Sequence, residues 1–241
     1  MSSETAGAGV ARAEFAAPAS AVSGTLVRRW RPSYNPTVAF VERGAELAVL
    51  QRCFAAAAAG HGGAVAVCGE PGAGKSALVE TACAAVPGLR VLRGACDPLS
   101  TPRPLGPFRD LARPAGISAL LTGGDLSRAN VCEAVYDAMT TEPTVLVVED
   151  LHWADAASAE VLRFLARRAG ALPLALVVTY RDDEIGPQHS VRQLLGDFAA
   201  LDGLSTVRLS PLSVAGVAEL LDGTTADPAR VHALTGGNAF F

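Results

Sequence analysis

The stretch Gly69-Glu70-Pro71-Gly72-Ala73-Gly74-Lys75-Ser76 fits the pattern G-x-x-x-x-G-K-[ST]. Glycines at that spacing let successive backbone N–H groups curl around an anion without a Cβ in the way. A helix starting at the lysine adds the positive end of its dipole. Lys75 then brings a mobile point charge to the β and γ phosphates of a nucleotide, a task for which a planar guanidinium is poorly shaped. Ser76 offers a hydroxyl to Mg²⁺, and Ala77 closes the nucleotide-binding set. Residue usage singles out the same spot. Lys and Arg together number 20, and Lys75 is the one lysine among them.

A second constellation ends the run Thr144-Val145-Leu146-Val147-Val148-Glu149-Asp150. A buried strand that finishes in two acids delivers carboxylates to the carboxyl edge of a sheet, where a phosphate loop also lies. One acid can hold Mg²⁺ through water while the other orients or deprotonates an attacking water.

Both constellations require strands and helices that alternate. Glu46 to Ala59 reads as an Ala-rich helix ended by Gly60, and Ala64 to Cys68 as a short buried strand. Lys75 to Val86 reads as a helix stopped by Pro87-Gly88. Further strands are expected at Leu89–Leu92, Val145–Val148, Leu174–Thr179 and Val207–Leu209. Helices are expected at Leu126–Met139, from a cap at Asp155 through Arg168, and at Val191–Leu201. Asp97 to Pro107 is Pro-rich and reads as irregular. Strands that are apolar throughout, separated by helices, imply a parallel sheet covered on both faces. After Pro211 the strand signal stops. Ser213–Leu221 and Pro228–Leu234 read as short helices, the second with Asp227 as cap and proline at the first helical position.

The chain has 241 residues, 50% of them hydrophobic and 24 of them glycine. That composition excludes an overall disordered chain and allows a sizeable core. A net charge of −4 argues against a dedicated nucleic-acid domain. No apolar run reaches the ~18 residues of a membrane helix, and the start lacks the basic-then-apolar pattern of a signal peptide. The five cysteines are scattered, with no CxxC, and read as buried hydrophobes in a reducing cytoplasm; no zinc site is indicated. Residues 1–38, rich in Ala, Gly, Ser and Pro, read as a mobile tail that carries a small basic-aromatic patch, Arg28-Arg29-Trp30-Arg31.

Val148-Glu149-Asp150-Leu151-His152-Trp153-Ala154-Asp155 resembles the strand-end signature of the STAND class of AAA-like P-loop ATPases. More narrowly it resembles the large LuxR-type (LAL) transcriptional regulators of actinobacteria. Leu92-Arg93-Gly94-Ala95-Cys96-Asp97, Pro104-Leu105-Gly106-Pro107-Phe108, Thr179-Tyr180-Arg181, Leu209-Ser210-Pro211-Leu212 and Thr235-Gly236-Gly237-Asn238 agree with that group. The resemblance covers about residues 38–241. It implies an α/β P-loop NTPase three-layer sandwich with a five-stranded parallel sheet over 39–211, followed over 212–241 by the start of a small helical lid.

It also implies ATP or ADP with Mg²⁺ as ligands. Glu149 would take the Mg²⁺ role beside Ser76, Asp150 the water-orienting role, and Arg181 would read the γ-phosphate. Arg43 would help seat the adenine. His152 and Trp153 read as packing beneath the site. Two departures stand out. The Gly-Arg-Glu box of the family is here Glu42-Arg43-Gly44, so only Arg43 keeps its place. The lid motif Gly-Asn-Pro-Phe is here Gly237-Asn238-Ala239-Phe240, and the missing proline weakens the adenine contact.

The family continues into a winged helix, helical repeats and a DNA-binding helix-turn-helix, whereas this sequence stops at Phe241, within the lid. The expectation is therefore a fragment, a truncated product or a stand-alone module. Its function would be an ATP-binding, slowly hydrolysing nucleotide switch, with self-association or a full-length regulator as partner. A working ATPase and an inert, interaction-only remnant are the alternatives.

Overall fold

The structure is a computed structural model that describes residues 40–86, 88–99, 101, 103–118, 127–186, 189–199 and 204–241. The N-terminal tail expected over 1–38, with its basic-aromatic patch, lies outside the described residues.

Five strands form one sheet: β1 (Gly63–Gly69), β2 (Arg90–Ala95), β3 (Thr144–Glu149), β4 (Leu174–Tyr180) and β5 (Leu204–Leu209). The order is β2-β3-β4-β1-β5 and every pairing is parallel. This is the parallel five-stranded sheet of a P-loop NTPase. The helices are α1 (Gly44–Ala58), α2 (Lys75–Ala84), α3 (Gly106–Leu111), α4 (Arg128–Thr140), α5 (Ala156–Ala166), α6 (Ser190–Ala199), α7 (Val214–Leu220) and α8 (Pro228–Thr235).

Strand periodicity sorts the core into two layers. Val65 and Val67 of β1, Val145 and Val147 of β3, and Ala175 and Val177 of β4 face one side. There they meet Leu50 and Phe54 of α1 and Leu78 of α2. Ala66, Leu146, Val148, Leu176 and Val178 face the other side. They meet Phe108 of α3, Val135 of α4, Leu162 and Leu165 of α5, and Phe198 of α6. Because both faces are covered, β3 is buried along its length up to Val148, and β4 up to Thr179. That is why neither strand shows an alternating sequence pattern.

The differences from the sequence reading lie at ends and in one loop. β2 runs on to Ala95, past the expected Leu92, because Ala95 still pairs with Glu149 on β3. The segment read as irregular ends in α3 from Gly106, entered through Leu105 in the left-handed region (φ 59°). Its proline at the second helical position made the segment look like loop, although proline is tolerated in a first turn. Asp155 does cap α5: its carboxylate accepts from the backbone N–H of Ala157 and Ser158 at 3.0 and 3.1 Å.

Polar contacts hold α7 and α8 in place. The Glu42 carboxylate accepts from the backbone N–H of Ser213 at 2.9 Å and from the Ser213 hydroxyl. His232 Nε2 lies 3.1 Å from the Leu212 carbonyl. Among the described residues no helix is long and apolar enough to cross a membrane.

Candidate functional site

Parallel pairing puts the carboxyl ends of β1, β3 and β4 side by side, and the site grows from those ends. β1 stops at Gly69, and the chain reaches α2 through five residues that include Gly72 (φ 79°) and Gly74 (φ 90°). A Cβ on Gly72 would stand 2.5 Å from Asn238 Oδ1 and 2.7 Å from Phe240 Cβ. Glycine is thus required there both by the backbone turn and by the close approach of Asn238 and Phe240. Lys75 is buried at the start of α2. Its Nζ donates to the carbonyls of Gly69 and Glu70 at 2.7 and 2.9 Å. The ammonium is therefore held over the loop it belongs to. Burial pushes its pKa down, and the Arg181 charge adds to that; Asp150, Asp183 and Asp182 oppose it. A polyanion placed in the loop would relieve both effects.

Asp150 follows β3 with φ 54°, an uncommon conformation for a non-glycine residue that Asp tolerates better than most. Its backbone N–H donates to Thr179 Oγ1 at 3.1 Å. Thr179 is buried near the end of β4 and entered the sequence reading only as the start of Thr179-Tyr180-Arg181, not as a partner of Asp150. Its signal was weak: one hydroxyl in an otherwise apolar strand end. The kink it stabilises puts Asp150 on the wall of a cavity of about 620 Å³ shared with Lys75, Ser76, Ala77, Arg181 and Arg43.

Glu149, the residue just before, is placed differently. Its two oxygens accept from Arg93 Nε and Nη2 at 3.0 and 2.7 Å. Arg93 Nη1 in turn donates to Glu80 of α2 at 2.8 Å. This Glu80–Arg93–Glu149 chain ties α2, β2 and β3 together beside the phosphate loop. Glu149 is not on the cavity wall.

Arg181 lines the cavity, and its guanidinium sits 5.0 Å from the Trp153 ring centroid. Arg43 is buried, donates to the Ser210 carbonyl and lies 3.9 Å from Glu46, while also lining the cavity. Pro71, Gly72, Ala73 and Gly74 line it too; Glu70 instead faces a neighbouring recess with Asp183 and Asn238. The segment after α8 reaches in as well. Asn238 Nδ2 donates to the Pro71 carbonyl at 2.7 Å, and Ala239 and Phe240 close one side. His152 is buried and Trp153 half-buried, and neither is on the cavity wall.

The residues fit a nucleotide di- or triphosphate. The loop has positive-φ glycines where a Cβ would clash, a lysine held over it, a hydroxyl at Ser76 and an apolar end formed by Phe40, Val41, Leu212 and Leu220. The volume is within the ~300–1,000 Å³ usual for small-molecule clefts.

Comparison with known proteins bears on the same residues. The family model described as "AAA ATPase domain" matches residues 39–178, more than half of the chain. No curated protein matches the sequence. Among solved structures, the chain is similar to a STAND protein with a tetratricopeptide repeat sensor from Pyrococcus horikoshii. That match has 18% identity and a TM-score of 0.53, and covers 83% of this chain and 28% of the other. It is similar to Cdc6p from Pyrobaculum aerophilum at 19% identity and TM-score 0.58, covering 83% of this chain and 52% of that one. It is also similar to the Aeropyrum pernix ORC1 protein, solved in complex with DNA, at 18% identity and TM-score 0.55, covering 80% and 50%. The chain thus spans between about a quarter and half of the length of these structures. At such identities the likeness is one of fold.

Proposed function

The chain belongs to the AAA ATPase domain family, and from that premise we propose that it is an ATP-binding, slowly hydrolysing nucleotide switch. The observation that carries this reading is the contact between lid and phosphate loop. Asn238 donates to the Pro71 carbonyl, while Lys75, Asp150 and Arg181 face the same cavity. A group bound in the loop must therefore touch, or displace, the residues that position α7 and α8. That is how ligand identity becomes a conformational signal.

The loop amides and Lys75 bind the phosphates, and Ser76 supplies a hydroxyl for Mg²⁺. Mg²⁺ would neutralise charge on the phosphate oxygens. Asp150 orients water at the cavity wall. Arg181 reads the terminal phosphate, and Arg43 lies toward the base. Glu149 reaches a metal only if Arg93 releases it, so its Mg²⁺ role requires that ion pair to open. We further propose the core over 39–211, the lid over 212–241, a cytoplasmic location, and the setting of a LuxR/LAL-like regulator; that setting rests on the strand-end and lid motifs alone. A stand-alone ATPase is the second reading, favoured by the carboxylate of Asp150 on the cavity wall.

The test is a titration of the purified chain with Mg-ATP and Mg-ADP beside Lys75→Ala. Micromolar binding that vanishes in the variant supports the switch. Absence of binding by both proteins refutes it. Steady turnover by the chain alone, lost in Asp150→Asn with binding kept, moves the second reading to the front.

A further inference from the structure

The turn after β3 and the loop after β4 meet beside the nucleotide cavity, and three side chains there form an incomplete relay. Arg181 Nη1 donates to Glu184 Oε1 at 2.6 Å. The other carboxylate oxygen of Glu184 stands 3.5 Å from His152 Nε2. The His152 side chain is fully buried, and neither ring nitrogen has a hydrogen-bond partner among the described residues. Buried polar groups are nearly always paired, so an orphaned imidazole needs an explanation. Packing alone is a poor one, because an apolar side chain would fill the space without the unmet donor.

Glu184 is within reach of both partners but bonded to one. Its side chain is 36% exposed and lies after a strand end rather than within an element, so a change of rotamer meets few packing contacts. The charges facing it are Arg181, His152 and Lys75, from β4's end, the β3 turn and α2 respectively. While Nη1 is bonded to Glu184, only the remaining N–H groups of the Arg181 guanidinium are available to a terminal phosphate in the cavity it lines.

We infer that Glu184 is a positioning residue with two alternative partners. It holds Arg181 back in the absence of a triphosphate, and it passes to His152 when Arg181 engages the terminal phosphate. This rests on the nucleotide-switch reading above. A diphosphate leaves the Arg181–Glu184 pair in place. A triphosphate that draws on the whole guanidinium fork opens it, and the His152 bond offsets part of that cost. Glu184 and His152 thereby set how strongly the site prefers ATP over ADP, since a ligand shifts a two-state equilibrium only by its differential affinity. Trp153, stacked near Arg181, is the optical reporter.

The experiment measures affinities for Mg-ADP and for a Mg-bound non-hydrolysable ATP analogue. The proteins are the wild-type chain, Glu184→Gln, His152→Asn, the Glu184→Gln/His152→Asn double variant, Arg181→Ala, the Arg181→Ala/Glu184→Gln double variant and Lys75→Ala. Glu184→Gln is expected to raise the triphosphate-to-diphosphate affinity ratio about 3- to 10-fold, with ADP affinity unchanged. His152→Asn is expected to lower the ratio, and to have no effect once Glu184 is Gln. In an Arg181→Ala background, Glu184→Gln should change nothing.

A ratio unmoved by Glu184→Gln overturns the inference, as does a His152 effect that persists without Glu184. Glu184→Gln alters a partly exposed loop residue, so it serves even if His152→Asn fails to fold. If the wild-type chain binds neither nucleotide and matches Lys75→Ala, the nucleotide reading itself is what fails, and this inference falls with it.

Discussion

Lys75, Asp150 and Arg93 show how single residues acquire their roles from what surrounds them. Lys75 is buried with two carbonyls as partners, so Lys75→Ala should leave the fold largely intact while removing nucleotide binding. Arg93 bridges the buried Glu80 and the largely buried Glu149. Arg93→Met would remove the guanidinium that both carboxylates share, and should cost roughly 3 kcal/mol in urea unfolding, in line with breaking other buried pairs. The cysteines give a pH prediction. Burial pushes the thiols of Cys83 and Cys96 up to about 12 and that of Cys53 up to about 11. These thiols stay protonated when folded and ionise near 9 when unfolded, so their contribution to stability is complete below pH 9. It is lost as pH climbs from 9 toward 12. The unfolding free energy should therefore decline over that window, and a thiol reagent at pH 8 should label the buried Cys96 only after denaturation.

At the scale of elements, caps and strand ends decide where the chemistry sits. Asp155 caps α5 and its carboxylate also accepts from the backbone N–H of Leu105 at 3.3 Å, at the entrance to α3. Asp155→Ala should therefore cost about 1–2 kcal/mol, and Asp155→Asn much less, by thermal unfolding. Gly72→Ala tests the loop. It combines an unfavourable φ with a clash against Asn238 and Phe240, so it should weaken nucleotide binding and loosen α7 and α8 together. Limited proteolysis near residues 221–227 would report the second effect. Thr179 does its work through geometry rather than charge, since it bonds the backbone of Asp150 and not its carboxylate.

For the molecule as a whole, polar contacts join the core to the segment that carries α7 and α8. Glu42 to Ser213 and Asn238 to Pro71 are two of them. Such a joint is suited to being remade by a ligand. Saturating Mg-ATP should raise the melting temperature, since a ligand at 100 times its Kd adds about 2.7 kcal/mol to a folded state that alone binds it. Lys75→Ala should abolish that rise. The exposed Leu234, Phe240 and Phe241 cluster at the end of α8 and beyond. Phe240 and Phe241 stack edge to face with centroids 5.6 Å apart.

The phosphate loop, the five strands and the cap at Asp155 were legible in the sequence because each depends on neighbours close along the chain. A glycine pattern, an apolar run and an Asp before a helix are local physics. The pairing of Glu149 with Arg93, 56 residues away, was not legible, and it separates two acids that the sequence presents as equals. Nor was the turn at Asp150, which needs the Thr179 hydroxyl from the next strand. The same holds for the approach of Asn238 to Pro71, 167 residues apart, and for the orphaned ring of His152 beside Glu184. Sequence alone determined which groups could meet a phosphate. Which of them face it, and which are already engaged elsewhere, was decided by strand register and by side chains that only the folded sheet brings within bonding distance.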